Sequence, residues 1–301
     1  MGITRRSFLK YCILSSATLG LGPMDLFQIK SALAKPNGPK VLWLQGSGCS
    51  GCSISFLNRI ADTPPLTTAA LLTDDIDLIY HPTLMGASGT EAVGLIQTAM
   101  AEGSYLLVVE GGVPTAFGGA PCWPWSVDGV EVTFRDAVTQ AAAKASQIVC
   151  LGSCACYGGV SAAGENPSGV VSVASALGRA TLNVPGCPPH PDWMVWTIAQ
   201  VIAGNDVARD AHSRPTALFG TKVHDACPRN TEVNPQLKKA NRNGVDNLCL
   251  QSLGCRGPST CAPCPSMKWN NGVNWCVDAN ANCSGCTEPT FPGGNFHVTL
   301  F

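Results

Sequence analysis

Short, nearly unbroken hydrophobic runs alternate with longer amphipathic stretches between residue 40 and about residue 205. Apolar runs of this kind are typical of strands that are buried on both faces of a parallel sheet. They predict five strands, at residues 41–45, 77–80, 105–110, 147–151 and 182–184. The stretches between them predict helices at residues 90–101, 134–145 and 192–203. This alternation indicates an α/β fold with a parallel sheet.

The loops that follow the predicted strands are rich in cysteine and glycine. Cys49 and Cys52 follow the first strand, Gly111 the third, Cys154 the fourth and Cys187 the fifth. Ligands of open α/β sheets bind beyond the carboxyl ends of the strands. We therefore expect four separate loops to bring cysteine or glycine to one edge of the sheet.

The pattern changes after about residue 211. Residues 217–301 hold eight cysteines and much Asn, Pro and Gly, with no convincing periodicity. Such a cysteine density is typical of small domains that are organised around something other than an apolar core. We therefore predict two domains in the mature chain, an α/β domain at residues 35–210 and an irregular domain at residues 211–301.

The first 34 residues carry an export signal. Arg5 and Arg6 form a twin-arginine pattern, a mild apolar stretch follows, and Ala32-Leu33-Ala34 supplies a small-residue cleavage site. The apolar stretch is too short and too rich in glycine to be a membrane anchor. We expect residues 1–34 to be removed after export to the periplasm, and the twin-arginine route carries proteins that have already folded.

Charge and hydropathy exclude several classes of protein. The chain has 301 residues, 19 basic and 20 acidic, so it lacks the basic excess of a nucleic-acid-binding protein. No later stretch reaches the ~18 apolar residues of a membrane span. We expect a mature chain with neither a nucleic-acid partner nor a membrane span.

The segment from Gly46 to Cys52 allows two interpretations. Gly46, Gly48 and Gly51 form a G-x-G-x-x-G pattern after a strand, which is the fingerprint of a dinucleotide site. However, Cys49 and Cys52 crowd the phosphate position, and an exported protein is poorly placed to use NAD. The glycines also allow the close backbone approach that a metal cluster needs, and we favour this second interpretation.

The cysteines of the C-terminal region allow a zinc site as well. Cys261 and Cys264 form one C-x-x-C pair and Cys283 and Cys286 form another, at a spacing that fits a zinc ribbon. Thiolate sites select zinc or iron–sulfur clusters with little difference in ligand chemistry. Cys276 lies between the two pairs as an extra candidate ligand, and this argues against zinc. A disulfide-stapled domain is a further alternative, but 15 cysteines remain beyond the leader, which is an odd number.

Six sequence motifs together resemble the small subunit of nickel–iron hydrogenases, over essentially the whole mature chain. The motifs are Gly48-Cys49-Ser50-Gly51-Cys52, Gly152-Ser153-Cys154-Ala155-Cys156-Tyr157-Gly158-Gly159-Val160, Pro185-Gly186-Cys187-Pro188-Pro189, His224-Asp225-Ala226-Cys227-Pro228-Arg229, Leu253-Gly254-Cys255-Arg256-Gly257-Pro258 and Cys283-Ser284-Gly285-Cys286-Thr287-Glu288-Pro289. The resemblance implies a flavodoxin-like N-terminal domain, followed by an irregular domain that binds iron–sulfur clusters.

The resemblance also implies three clusters in a line and the residues that hold them. A proximal 4Fe–4S cluster would be held by Cys49, Cys52, Cys154 and Cys187. A medial cluster would be held by Cys264, Cys283 and Cys286, with Cys276 as a fourth ligand. A distal 4Fe–4S cluster would be held by His224, Cys227, Cys249 and Cys255.

Cys276 departs from the commonest pattern of the family, in which a Pro follows the Trp at this place. That Pro leaves standard members with a 3Fe–4S medial cluster, whereas a fourth thiolate completes a 4Fe–4S cubane and lowers its potential. The chain therefore looks most like the nickel–iron–selenium branch, whose selenocysteine is on the other subunit. Cys261 is a competing fourth ligand, and an ordinary nickel–iron enzyme with Cys276 unused is the alternative.

The resemblance implies a role in electron conduction. The chain would be the electron-transfer subunit of a periplasmic hydrogenase, an oxidoreductase that interconverts dihydrogen with protons and electrons. Its expected partners are a large subunit that carries the nickel–iron site and a multihaem cytochrome c that exchanges electrons. We identify no catalytic residue in this chain, and Cys122, Cys150, Cys156 and Cys261 have no assigned role. Two further residues remain open: Glu110 as a proton carrier or a buried, paired carboxylate, and His190 as a cluster neighbour or a helix cap.

Overall fold

The computed structural model describes residues 38–60, 67–68, 71–72, 76–242, 244 and 247–293. The predicted export signal at residues 1–34 lies outside the described residues. Among the described residues, no helix is long and apolar enough to cross a membrane.

Nine strands occur within the described residues. They are β1 (Lys40–Gln45), β2 (Asp77–Tyr80), β3 (Tyr105–Glu110), β4 (Val113–Pro114), β5 (Trp125–Val127), β6 (Val130–Val132), β7 (Ala145–Leu151), β8 (Val170–Val171) and β9 (Leu182–Val184). Five of them form the central sheet in the order β2-β1-β3-β7-β9, and all of its pairs are parallel. In chain order this is 2-1-3-4-5, the strand order of flavodoxin-like folds.

Eight α-helices lie in the same residues. They are α1 (Gly51–Leu57), α2 (Gly89–Glu102), α3 (Phe134–Lys144), α4 (Gly152–Tyr157), α5 (Val173–Leu177), α6 (Pro191–Ile202), α7 (Thr216–Phe219) and α8 (Cys264–Met267). Three of them begin at side-chain caps. Thr133 Oγ1 accepts the Asp136 N–H at 3.2 Å, Ser172 Oγ accepts the Ser175 N–H at 3.1 Å and His190 Nδ1 accepts the Asp192 N–H at 3.1 Å. His190 is thus a helix cap, which is one of the two roles that the sequence left open.

The sheet separates two hydrophobic cores because successive side chains of a strand point to opposite faces. In β1, Val41 and Trp43 pack on one face with Trp193 of α6. Leu42 and Leu44 pack on the other face with Phe134 of α3. Burial on both faces explains why the strands are nearly continuous apolar runs, and it confirms the predicted α/β class.

The boundary between α3 and β7 differs from the prediction, which extended the helix to residue 145. The helix ends at Lys144, whose carbonyl oxygen accepts the Ser104 N–H at 3.2 Å. Ala145 then pairs with Tyr105 in the sheet. Strand pairing therefore overrides the helix propensity of alanine at this position.

Two small antiparallel pairs were not predicted from the sequence. β4 pairs with β8, and β5 pairs with β6 in a hairpin. Both pairs lie in loops outside the main sheet, and their strands of two or three residues are too short for a readable hydrophobic period.

The chain beyond α6 has few regular elements and is held by turns and by a buried ionic cluster. Arg214 Nε donates to Asp210 Oδ2 at 2.7 Å, and Nη1 donates to Glu288 Oε1 at 2.8 Å and to the Thr287 carbonyl at 3.0 Å. The arginine side chain is only 4% exposed. This cluster fastens the segment after α6 to the C-terminal segment.

We predict that Arg214→Met destabilises the protein by about 3–5 kcal/mol, because it leaves two partly buried carboxylates without a counter-charge. The matched control is Arg135→Met, whose pair with Asp136 is 40% and 46% exposed, and for which we expect about 0–1 kcal/mol. Thermal unfolding followed by circular dichroism measures both. Equal costs for the two variants would contradict a structural role for the buried cluster.

Candidate iron–sulfur sites

The first candidate site lies at the carboxyl edge of the central sheet. It contains the proximal set, which we define as Cys49, Cys52, Cys154 and Cys187. Cys49 lies between β1 and α1, Cys52 in α1, Cys154 in α4 directly after β7, and Cys187 after β9. The strand order reverses between β1 and β3, and in such sheets ligands bind beside this point.

The four thiols of the proximal set are close enough to affect one another. Burial is the main cause that raises the pKa of Cys52 well above its ordinary value, and the charges of Glu110, Cys154, Cys187 and Cys49 add to the shift. Burial also raises the pKa of Cys187 to about 11, with contributions from Cys154 and Cys49. A metal ion binds cysteine as the thiolate. Because burial disfavours the thiolate, this site favours the protonated thiol until a bound cation neutralises the negative charge.

Glycine allows the close approach of backbone and sulfur at this site. Gly152 has a φ of 84°, and a Cβ added there would collide with Cys52 Sγ. At Gly51, an added Cβ would stand 3.1 Å from Cys49 Sγ. The glycines at these two positions therefore allow close packing of the backbone against the cysteine sulfur atoms.

Glu110 is a buried carboxylate with several partners. Its Oε1 accepts the backbone N–H groups of Cys52 at 3.0 Å and Ser53 at 3.1 Å, and its Oε2 accepts Trp43 Nε1–H at 3.1 Å and the Ser53 hydroxyl. The residue is 2% exposed. Of the two roles left open by the sequence, these contacts are those of a paired structural carboxylate that holds the start of α1 against β3.

The second candidate site is a cavity of about 330 Å³ in the C-terminal region. It contains the medial set, which we define as Cys264, Cys276, Cys283 and Cys286, and all four residues line the cavity. Burial raises the pKa of Cys264 well above its ordinary value, and the other three cysteines add to this shift. The structure thus brings Cys276 together with the three cysteines that the resemblance implied.

Cys261 lies outside this cavity. Its backbone N–H donates to Glu288 Oε1 at 2.6 Å, and the charges that act on its thiol are those of Glu288, Arg214 and Asp210. A zinc ribbon would need Cys261 and Cys264 on one ion together with Cys283 and Cys286. The cavity holds Cys276 instead of Cys261, so the contacts disfavour the zinc interpretation.

Two indole groups beside the cavity fit a bound group that accepts hydrogen bonds. Trp269 donates a hydrogen bond to the Cys264 thiol, which opposes the rise of its pKa through burial. Trp275 is 3% exposed, and its Nε1 finds no partner among the described residues. A buried donor without a partner is costly. A cluster sulfide in the cavity would accept it.

The third candidate site contains the distal set, which we define as His224, Cys227, Cys249 and Cys255. Burial raises the pKa of Cys227, and the charges of Cys255 and Cys249 add to it. Cys227 N–H donates to the His224 carbonyl at 3.1 Å. A Cβ added at Gly257 would stand 3.6 Å from Cys255 Sγ and 3.7 Å from the His224 nitrogen, so these two residues share a neighbour. The His224 ring is buried, with Nε2 3.9 Å from Glu232 Oε1.

The three sets follow one another through shared neighbours. Cys187 of the proximal set also lines the medial cavity, and its backbone N–H donates to the Cys286 thiol. On the other side, the charge of Cys255 of the distal set contributes to the raised pKa values of Cys276 and Cys283, after the larger effect of burial. The order is therefore proximal, medial, distal.

Ser153 fastens the first two sets together, a role that sequence reasoning missed. Its hydroxyl donates to the Cys286 carbonyl and accepts the Gly186 N–H at 3.0 Å, and its own N–H donates to the Gly186 carbonyl at 2.9 Å. The serine stands directly before Cys154. Its position inside the Gly-Ser-Cys motif was the available signal.

The remaining cysteines do not join a set. Cys150 is fully buried in β7, and Cys156 is 3% exposed and donates its thiol to the Cys150 carbonyl at 3.4 Å. Cys122 is half-buried beside α3. All fifteen cysteines of the described residues are free, so none of them forms a disulfide. In the same residues, no three side chains of His, Cys, Asp or Glu are placed to hold a single metal ion.

Comparison with known proteins finds two family models that match the chain. A family model described as "NADH ubiquinone oxidoreductase, 20 Kd subunit" matches residues 49–201. A second model, which describes the C-terminal part of the NiFe/NiFeSe hydrogenase small subunit, matches residues 219–298. The fold and the two family models thus define a subunit of an oxidoreductase.

Individual relatives are similar over nearly the whole chain. The periplasmic NiFe hydrogenase small subunit of Solidesulfovibrio fructosivorans is 38% identical, over 96% of this chain and 90% of the relative. The periplasmic NiFeSe hydrogenase small subunit of Desulfomicrobium baculatum is 37% identical, over 98% of both. In the recombinant NiFeSe hydrogenase of Desulfovibrio vulgaris Hildenborough, one chain superposes with a TM-score of 0.79 at 36% identity, over 87% of this chain and 97% of that one.

The chain belongs to the small-subunit family of nickel–iron and nickel–iron–selenium hydrogenases. It is therefore a subunit of an oxidoreductase that acts together with a large subunit, and the resemblance inferred from the sequence is confirmed.

We predict that Gly152→Ala prevents assembly of the proximal site, because the added methyl group would occupy the space of Cys52 Sγ. The expected result is a loss of about four iron atoms per chain and of hydrogen-dependent dye reduction. Iron analysis of the purified complex measures the loss. The control is Gly164→Ala, which has a φ of 71° but no atom within 4 Å of the added Cβ. Equal iron contents in the two variants would contradict the prediction.

Proposed function

We propose that this chain conducts electrons between a nickel–iron or nickel–iron–selenium site on the large subunit and an external carrier. The observation that carries the proposal is the order of the three cysteine sets in space. Cys187 of the proximal set lines the medial cavity, and the charge of Cys255 of the distal set acts on Cys276 of the medial set. Each set holds four candidate ligands of the type that binds iron–sulfur clusters. The clusters, when bound, supply the one-electron carriers.

The ligand assignment follows the three sets. The proximal set would hold one 4Fe–4S cluster, the medial set a second and the distal set a third. Burial disfavours the thiolate form of most of these cysteines, so the positive charge of iron would stabilise thiolates that the protein alone does not stabilise. Neutral His224 in place of a thiolate removes one negative charge from the distal site, which favours its reduced state.

Cys276 is the proposed fourth ligand of the medial site. It lines the same cavity as Cys264, Cys283 and Cys286, whereas Cys261 faces the ionic cluster around Arg214. These contacts support a 4Fe–4S medial cluster and, with it, the nickel–iron–selenium branch. A 3Fe–4S medial cluster in an ordinary nickel–iron enzyme remains the alternative that the mutagenesis below tests.

The proposed docking face for the large subunit lies next to the proximal set. On and just after α1, the apolar side chains of Ile54, Leu57 and Ile60 are 54%, 39% and 67% exposed. Apolar side chains that cluster on a surface mark interaction sites. Their place beside Cys49 and Cys52 supports entry of electrons at the proximal end.

The proposed compartment is the periplasm, and the proposed electron partner is a cytochrome c. The twin-arginine pattern at Arg5 and Arg6 supports export of a folded, cluster-loaded chain. Relatives from Solidesulfovibrio and Desulfomicrobium are named periplasmic hydrogenase subunits. Cytochromes c of several haems are carriers suited to that compartment.

Iron and acid-labile sulfide analysis of the purified complex tests the proposal. After subtraction of the large-subunit iron, we expect ~12 Fe per chain and a similar amount of sulfide, since three cubanes hold four each. Zinc without visible absorption would contradict the cluster assignment.

A second test concerns the medial site. We predict that Cys276→Ser converts the medial cluster to a 3Fe–4S form, which EPR of the oxidised complex detects. The control is Cys261→Ser, which we expect to leave the cluster and its spectrum unchanged. A 3Fe–4S signal in the Cys261 variant, with none in the Cys276 variant, would assign the fourth ligand to Cys261.

A further inference from the structure

The two parts of the chain carry opposite charge. Residues 35–210 hold 7 basic and 14 acidic side chains, whereas residues 211–301 hold 8 basic and 5 acidic ones. The near-zero net charge of the whole chain therefore hides a basic C-terminal region. Six of its basic residues lie between residues 222 and 256, the segment that also contains the distal set.

Backbone hydrogen bonds place a group of these cations beside the distal set. Cys249 N–H donates to the Lys238 carbonyl at 3.0 Å, and Ala240 N–H donates to the Cys249 carbonyl at 2.8 Å. Lys239 pairs with Cys249 as a bridge partner. Lys238 and Lys239 are therefore direct neighbours of a proposed distal ligand.

Two further cations extend the patch. Lys222 begins the turn that leads to His224, because its carbonyl accepts the Asp225 N–H at 3.2 Å. Arg242 follows Ala240, whose carbonyl accepts the Ser252 hydroxyl at 2.5 Å. We call Lys222, Lys238, Lys239 and Arg242 the distal basic patch, and all four side chains are exposed.

The charge of the distal basic patch is not neutralised within the described part of the chain. None of its four cations forms an ion pair with a described residue. The exposed carboxylates described on the same segment are Asp225 and Glu232, and the latter lies near the buried His224 ring. Four cations against these two carboxylates leave a positive field around the proposed electron exit.

We infer that the external electron carrier docks on the distal basic patch through a surface rich in carboxylates. This inference rests on the proposed function, since it assumes that electrons leave at the distal set. Complementary charge steers redox proteins into productive encounters and fixes their orientation, and it raises association rates by about 10–10³. The carrier is therefore an acidic one-electron protein, or one with an acidic face around its redox group.

A protein partner fits the patch better than a membrane. Electron exchange requires close approach of the carrier to the distal set, and the cations lie on the segments that hold Cys249 and His224. Binding at a membrane surface ordinarily uses an amphipathic helix with a basic face. The described residues of 222–256 form turns and one short 3₁₀ helix (Gln251–Leu253) instead.

The test compares two carriers that differ in charge alone. Native horse cytochrome c is basic, and the same protein after succinylation of its lysines is acidic. At low ionic strength we expect the assembled complex under hydrogen to reduce the succinylated form faster. We also expect that rate to fall as salt is added, because salt screens the attraction.

A variant separates this patch from the field of the large subunit. Lys238→Gln, Lys239→Gln and Arg242→Gln combined should slow reduction of succinylated cytochrome c by about 10-fold at low salt. The matched control replaces three cations of the α/β part of the chain, Arg135, Lys144 and Arg209, by Gln. It should change the rate of reduction of succinylated cytochrome c less than about 2-fold. Iron content and methyl viologen reduction should stay unchanged in both variants.

The outcomes separate the inference from the proposed function. Faster reduction of native cytochrome c, or equal rates for the triple variant and the control, would overturn the inference while viologen reduction stays normal. Loss of binding to phosphatidylserine vesicles in the triple variant, with unchanged cytochrome rates, would assign the patch to a membrane and also overturn it. Absence of hydrogen-dependent viologen reduction in the wild-type complex would overturn the proposed function and this inference with it.

Discussion

The structure depends on sulfur atoms that converge where water is scarce. Burial raises the pKa of Cys264, Cys283 and Cys286 around one cavity, with values of about 11 for Cys283 and about 12 for Cys286. Four thiolates in such a place would repel one another and lack solvation. Under the proposed function, iron would resolve this conflict, because it would replace the protons and bind the sulfurs. Cluster binding and folding of the C-terminal region would then be coupled, as in other small metal-binding domains.

The two parts of the chain solve this problem in different ways. In the N-terminal part, a parallel sheet with a core on each face fixes the ends of β1, β7 and β9, so three loops deliver the proximal set to one edge. In the C-terminal part no sheet does this work among the residues that the structure describes. Turns, the Arg214 cluster and the Ser153 contacts hold the chain, and its buried apolar residues, such as Leu218, Val223 and Trp275, belong to the core on one face of the sheet.

The sequence predicted the sheet well and the C-terminal region only through family resemblance. Strands buried on both faces leave continuous apolar runs, so all five strands of the sheet were predicted with small errors at their ends. Cysteine spacing alone allowed Cys261 and Cys264 to share a zinc ion, and only the folded chain separates them, because Cys261 faces Glu288. The indole donors Trp269 and Trp275 could not be predicted, since their role depends on distant segments that meet at the cavity.

Crystallographic anomalous scattering at the iron absorption edge, on the assembled complex, tests the central claim most directly. The account predicts three separate groups of four iron atoms in this subunit, each within bonding distance of one set of four ligands. The middle group should touch Cys276. Iron at only one or two of the sets, or a middle group of three atoms that leaves Cys276 unbound, would contradict it.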